Sequence, residues 1–211
     1  MIEAVLFDWG NTLVHFEWDD DLVTAAHRAA LGRDDSEFTN RWREAIRERR
    51  PYADILRDLG IEDTDAFIDA EHEAWQAATT VLASAQALLE SLRTRGVKTG
   101  VAARAWPEPP RIWRADAERL GLAEYLDVIV FSEEAGEKPF LEALGRLGVD
   151  PADAMYVGDK LVDDVQAASN LGMTTVQALW FVADDTPPAV EPDFMAFTPM
   201  DVLNAVRRLA L

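Results

Sequence analysis

Apolar positions along this chain change their spacing near residue 97. Phe38, Trp42, Ala45 and Ile46 make one helical stripe, Tyr52, Ile55, Leu56 and Leu59 a second, and Phe67, Ala70, Ala74 and Trp75 a third. A fourth, Val81, Ala85, Leu88, Leu89 and Leu92, ends at Gly96 after basic residues, as helix carboxyl ends prefer. Spacing of three and four residues predicts amphipathic helices. The short run Ile2–Phe7 predicts a strand, and no further strand is expected before Val97. From there the pattern alternates. Strands are predicted at 98–102, 127–131, 154–157 and 174–179, and helices at 110–120, 139–147, 161–171 and 200–210. Pro-rich loops fall at Trp106–Pro110 and, with acidic residues, at Asp184–Pro192.

Continuous apolar strands separated by helices imply a parallel sheet covered on both faces. The expected fold is therefore α/β, with a core from residues 1–15 and 81–211 and a helical insertion over 16–80. Ligands of such sheets sit at the carboxyl ends of the strands, and that rule selects the candidate residues. Asp8 ends the first strand in VLFDWGNTLV, with Gly10 and Asn11 in the turn and Thr12 after it. Ala103 and Arg104 end the second strand, Ser132–Lys138 follow the third, and Gly158-Asp159 ends the fourth in MYVGDKLVDDVQAA. Asp8 and Asp159 together could hold a hard divalent ion such as Mg²⁺, which takes carboxylate and carbonyl oxygens. Asp163 and Asp164 lie at the start of the next helix, where capping by a carboxylate is the alternative reading, more so for Asp163 than for Asp164.

Charge narrows the partners. A net charge of −19 repels nucleic-acid backbones and anionic lipid, so neither nucleic acid nor membrane is an expected partner. An anionic substrate then needs a local positive centre, and lysine is confined to Lys98, Lys138 and Lys160. Cysteine is absent, which excludes disulfides and thiolate chemistry. No apolar run approaches the roughly 20 residues that span a bilayer. Met1 leads into strand-like sequence without a basic leader, so the expected location is cytoplasmic.

The ordered series FDWGNTL, Val101–Arg104, Lys138-Pro139 and VGDKLVDD resembles the haloacid dehalogenase (HAD) superfamily, in which phosphatases with an aspartate nucleophile predominate. The resemblance covers nearly the whole chain. It implies a Rossmann-like sheet with residues 16–80 as a small helical cap. It further implies that Asp8 attacks phosphorus to form an aspartyl-phosphate, which water hydrolyses. Mg²⁺ would be held by Asp8, the Gly10 carbonyl and Asp159, with Asp164 as a further ligand. Lys138 would neutralise Asp8 and the phosphoryl oxygens, Thr12 would support the turn beside the substrate, and the substrate would be a small phosphorylated metabolite.

The sequence also departs from that pattern. The acid/base aspartate expected two residues after the nucleophile is Gly10, and such assistance is typically worth about 10²–10⁴-fold. The hydroxyl residue expected at the second strand end is Ala103, leaving Arg104 as a substitute phosphate clamp or as a solvent-facing residue. Lys138-Pro139 runs straight into Phe140 without the usual spacer, and Glu137 stands beside the lysine. His15 and the run Trp18-Asp19-Asp20-Asp21 lie near the hinge and could lend an acid, although helix capping by the aspartates and packing of His15 also fit. His27 and His72 lack zinc spacing. Trp9, Trp106 and Trp113 fit either a pocket rim or the core. Three readings stay open: a Mg²⁺-dependent phosphatase of weak or narrow activity, a non-catalytic binding protein on the same fold, and a 2-haloacid dehalogenase.

Overall fold

The structure is a computed structural model that describes every residue except 18, 134–137, 182–185, 187–188 and 211. Strand β1 (Ala4–Phe7) is followed by an antiparallel ribbon of β2 (Val14–Phe16) and β3 (Thr79–Val81). With β4 (Lys98–Ala105), β5 (Val128–Glu133), β6 (Ala154–Gly158), β7 (Thr174–Ala178) and β8 (Phe194–Ala196), β1 builds a six-stranded parallel sheet. Its order is β5-β4-β1-β6-β7-β8. The fold is α/β, as expected.

Successive strand residues face opposite sides of a sheet, and both sides here are covered. Val5 and Phe7 of β1 join Val101, Met155 and Val157 in a core closed by α5 (Ala85–Arg93), α6 (Pro110–Arg119) and α9 (Pro199–Leu209). Ala4 and Leu6 face Phe140, Ala143, Leu144 and Leu147 of α7 (Phe140–Leu147), with Ala168 of α8 (Ala167–Asn170) beside them. This two-sided burial is why the strands read as unbroken apolar runs. At Gly100 in β4 a Cβ would lie 2.5 Å from Val128 Cγ1 and 2.9 Å from Leu6 Cδ2, so the packing of β5 requires glycine there.

Between β2 and β3 lie α1 (Asp20–Leu31), α2 (Ser36–Ala45), α3 (Tyr52–Asp58) and α4 (Thr64–Trp75). They surround their own apolar cluster, which includes Phe38, Trp42, Ile55, Leu56, Phe67 and Trp75 and admits Ile112 of α6. Asp19, Asp35 and Asp63 cap α1, α2 and α4 through the backbone N–H groups of Asp21, Phe38 and Ala66. Part of the negative charge thus terminates helices, where the orphan amides favour it. A polar knot runs through this cluster. Trp42 Nε1 donates to the Tyr52 hydroxyl at 2.9 Å, and that hydroxyl donates to Glu71 at 2.6 Å. His27 joins Thr39 to Glu71 at 2.9 and 3.1 Å.

Three expectations need correction. Strand structure does occur before Val97: β2 and β3 are only three residues each, and Val81 belongs to β3 rather than to the helical stripe of α5. The strand expected over 98–102 continues to Ala105, because Ala103, Arg104 and Ala105 pair with Phe131, Ser132 and Glu133. The helix expected over 161–171 opens as a π-helical turn, Leu161–Gln166, before narrowing to α8. Among the described residues, no helix is long and apolar enough to cross a membrane.

Candidate active site

Strand β1 lies between β4 and β6 with Phe7 opposite both Val101 and Val157. Asp8 is therefore delivered at the centre of the carboxyl edge, where its N–H donates to the Val157 carbonyl at 2.8 Å. Strand β6 ends one position later at Gly158, and Asp159 emerges next to Asp8. The wide π-turn that follows brings Asp164 back over Gly158. A Cβ on Gly158 would lie 2.5 Å from Asp164 Oδ2, so only glycine leaves room for this carboxylate. π-turns are rare and recur at functional sites; here the Lys160 N–H donates to Asp164 Oδ2 at 2.8 Å and fixes the turn.

These elements place one oxygen each from Asp8, Asp159 and Asp164 within 4.8 Å of one another. Lys138, which precedes α7, closes the group: its Nζ lies 2.8 Å from Asp8 Oδ1 and is also ion-paired with Asp164. Its side chain is only 6% exposed. The ammonium donates to the Tyr156 hydroxyl at 3.3 Å, which in turn donates to the Ala102 carbonyl at 2.9 Å. Burial alone would lower the Lys138 pKa, but Asp164 and Asp8 outweigh it and hold the lysine above its ordinary value. Asp159, 3% exposed, is pushed up to about 7 by burial and then by Asp8 and Asp164. Burial also raises Asp164, against the pull of Lys138.

Among the described residues, the carboxyl groups of Asp8, Asp159 and Asp164 thus gather around the Lys138 ammonium. Asp159 Oδ1 is buried without a hydrogen-bond partner among the described residues. An all-oxygen donor set with an unsatisfied buried oxygen fits a hard divalent cation.

The other expected residues divide. Arg104 reaches the cleft in front of Asp8, but its guanidinium donates to Asp163 at 2.7 Å, so its charge is already matched. Asp163 is therefore engaged with Arg104. Thr12 is fully buried and off the cleft wall, and its carbonyl accepts from Trp180 Nε1 at 3.0 Å. Gly10 borders the cleft with open space where a side chain would project, since a Cβ there meets no atom of the described residues within 4 Å. Asn11 adopts a left-handed φ of 55° and donates to Asp159 Oδ2 at 3.4 Å. Trp106 and Trp113 do line the cleft, whereas Trp9 is buried against Phe131. Asp19 caps α1, and Trp18 and Glu137 lie outside the described residues.

The cleft occupies about 400 Å³ and is also lined by Lys160, one of the three lysines, and by Arg49, a cation that the sequence did not single out. Arg49 arrives from the helical insertion with its guanidinium 6.0 Å above the Trp106 ring, while Trp106 Nε1 donates to the Arg50 carbonyl at 3.4 Å. The available signal was the cluster Arg47, Arg49 and Arg50 in an acidic chain. A second tie joins the insertion to the core. His72 of α4 contacts Glu108 at 2.6 Å and Asp116 of α6 at 3.2 Å, and Glu108 also accepts from Trp113 Nε1 at 2.9 Å.

Residues 2–172 match the sequence signature of haloacid dehalogenase-like hydrolases. The chain belongs to this family. A glyceraldehyde 3-phosphate phosphatase of Methanopyrus kandleri is 31% identical, with all of this chain and 99% of the relative aligned. The HAD phosphatase of Thermococcus onnurineus shares the fold with a TM-score of 0.73 at 24% identity, over 97% of this chain and 98% of the other. A 2-haloacid dehalogenase of Pseudomonas syringae has a TM-score of 0.69 at 25% identity, over 99% and 100% of the two chains. Together the family signature and the relatives make this chain a HAD-like phosphohydrolase. HAD phosphatases generally use a divalent metal, which agrees with the three-carboxylate cluster.

Proposed function

We propose that the protein is a Mg²⁺-dependent phosphatase that hydrolyses a small phosphorylated metabolite through an aspartyl-phosphate on Asp8. The observation that carries this reading is the buried Lys138 ammonium 2.8 Å from Asp8, beside Asp159 and Asp164. Residues 1–15 and 81–211 form the catalytic core, and residues 16–80 act as the cap.

Asp8, Asp159, Asp164 and the Gly10 carbonyl would hold Mg²⁺, which when bound lowers the repulsion between a carboxylate nucleophile and a phosphate. Lys138 orients Asp8 and meets the charge that develops on the phosphoryl oxygens. Asp8 attacks phosphorus, the alcohol leaves, and water cleaves the acyl-phosphate to regenerate Asp8. Arg49 and Lys160 add the positive field that the overall charge opposes. Arg104, matched by Asp163, shapes the cleft, and Thr12 steadies the turn from beneath. With Gly10 in the acid/base position, esters with poor leaving groups should turn over slowly unless another residue supplies the proton.

A phosphorylated three-carbon substrate is the natural first candidate, given the named activity of the M. kandleri relative. The likeness to a 2-haloacid dehalogenase gives the competing reading. It is disfavoured because a halide displacement has no use for three clustered carboxylates. Purified protein with Mg²⁺ should hydrolyse acetyl or p-nitrophenyl phosphate, and EDTA or Asp8→Asn should abolish turnover. Wild-type activity no greater than that of Asp8→Asn would leave a binding protein on this fold. Chloride release from a 2-haloacid that persists in EDTA would point to dehalogenation.

A further inference from the structure

The cleft in front of Asp8 continues past Gly10, Asn11 and Trp106 into a second chamber of about 580 Å³. Gly10 and Asn11 border both spaces, so the chamber opens beside the position where Gly10 lacks a side chain, within reach of a group leaving from the Asp8 cleft. Its acidic and basic lining groups are largely committed. Glu108 carries bonds from His72 and Trp113, and Asp116 is ion-paired with His72 and Arg119. Glu17 stands at the exposed rim, and Lys160 borders both spaces. His15 remains.

His15 lies on β2, directly after Val14, whose backbone bridges that of Gly10. Its ring is fixed on two sides: it stacks on Phe181 with centroids 4.7 Å apart, and Nδ1 lies 3.0 Å from Asn11 Oδ1. Across the ribbon its backbone neighbour is Thr80. The bond polarity around it follows from the orientation of the Asn11 amide. Asn11 directs its Nδ2 to Asp159 Oδ2 and its Oδ1 to His15 Nδ1, and an amide oxygen only accepts. His15 Nδ1 must then carry the hydrogen, and Nε2 is left as the nitrogen that gains and loses a proton. Among the described residues Nε2 has no hydrogen-bond partner.

We propose that His15 is the general acid–base of the reaction, taking the part left vacant at Gly10. The inference rests on the phosphatase reading above. As Asp8 bonds to phosphorus, the phosphorus–oxygen bond of the ester breaks. Its electron pair stays on the departing oxygen, which takes the Nε2 proton of the His15 imidazolium and leaves as the alcohol. In the second step neutral Nε2 accepts a proton from the water that attacks phosphorus. The electron pair of the broken phosphorus–oxygen bond returns to the Asp8 carboxylate, inorganic phosphate leaves, and the imidazolium is restored. Asn11 is a positioning residue that sets the tautomer.

Single-turnover measurements on the Mg²⁺-loaded enzyme separate this role from a structural one. In His15→Gln, release of glycerol from glycerol phosphate should fall about 10²–10⁴-fold, whereas release of p-nitrophenol, which needs no proton, should stay within about twofold of wild type. Adding Gly10→Asp, for which there is room, should restore glycerol release in the His15→Gln background. Glu17→Gln should leave both rates unchanged. Equal loss on both substrates, no loss on either, or a selective loss in Glu17→Gln instead would overturn the assignment. A wild type that never forms an acid-stable, hydroxylamine-sensitive phosphoprotein on Asp8 would overturn the phosphatase reading itself, and His15 with it.

Discussion

Removing the Asp159 charge should stabilise the metal-free protein and abolish its response to Mg²⁺. In the folded chain this carboxyl titrates at about 7 against an ordinary 3.8, because it is buried and faces Asp8 and Asp164. Between those two values the folded state binds a proton that the unfolded state has released, so stability falls as pH rises. The loss is complete above pH 7 and amounts to on the order of 4 kcal/mol. Asp159→Asn carries no such charge, and it keeps an oxygen toward the site while relieving its two neighbours. Urea unfolding in EDTA should therefore give wild type a lower stability at pH 8 than at pH 5. The variant should lack this component and exceed wild type at pH 8. Mg²⁺ should recover the deficit in wild type through binding to the folded state alone, and should leave the variant nearly unmoved. An Asp159→Asn protein less stable than wild type in EDTA at pH 8, or one that gains as much from Mg²⁺, would refute the electrostatic account of this cluster.

Two further predictions concern the helical insertion. Burial would lower the His72 pKa, but the contacts with the Asp116 and Glu108 carboxylates outweigh it and raise it to about 9 from 6.5. This tie between α4 and α6 should thus contribute fully below pH 6.5 and be lost as pH passes through 9, a change on the order of 3 kcal/mol. His72→Gln should flatten that limb of the urea stability profile, and an unchanged slope would count against the tie. Arg49→Ala should raise KM for a phosphorylated substrate about 10- to 100-fold, the scale of one charge-assisted hydrogen bond, with kcat nearly unchanged. A KM equal to that of wild type would remove Arg49 from the substrate's surroundings.

How far each feature could be read in advance follows from how local its cause is. Strand β1 is buried on both faces, so its residues announce the strand without reference to any partner. The glycines and aspartates at strand ends are likewise visible in FDWGNTL and VGDKLVDD, because turn chemistry is written within a few residues. The convergence of Asp8, Lys138, Asp159 and Asp164 was expected from the order of these motifs, and the structure places the four together. The ribbon of β2 and β3 gave no such sign, since three-residue strands acquire their identity from a partner some 65 positions away (His15 faces Thr80).

The sequence by itself determined the alternation that makes a two-sided parallel sheet and the places where that sheet turns. Tertiary structure alone decided the rest. It matched Arg104 with Asp163, sealed Thr12 beneath the turn, widened the helix start so that Asp164 rests on Gly158, and carried Arg49 across to Trp106. It also turned His15 toward the space beside Gly10. Backbone periodicity reports which face of an element is dry. It carries no information about which distant charges meet there, because a Coulomb partner is chosen by distance after the chain has closed.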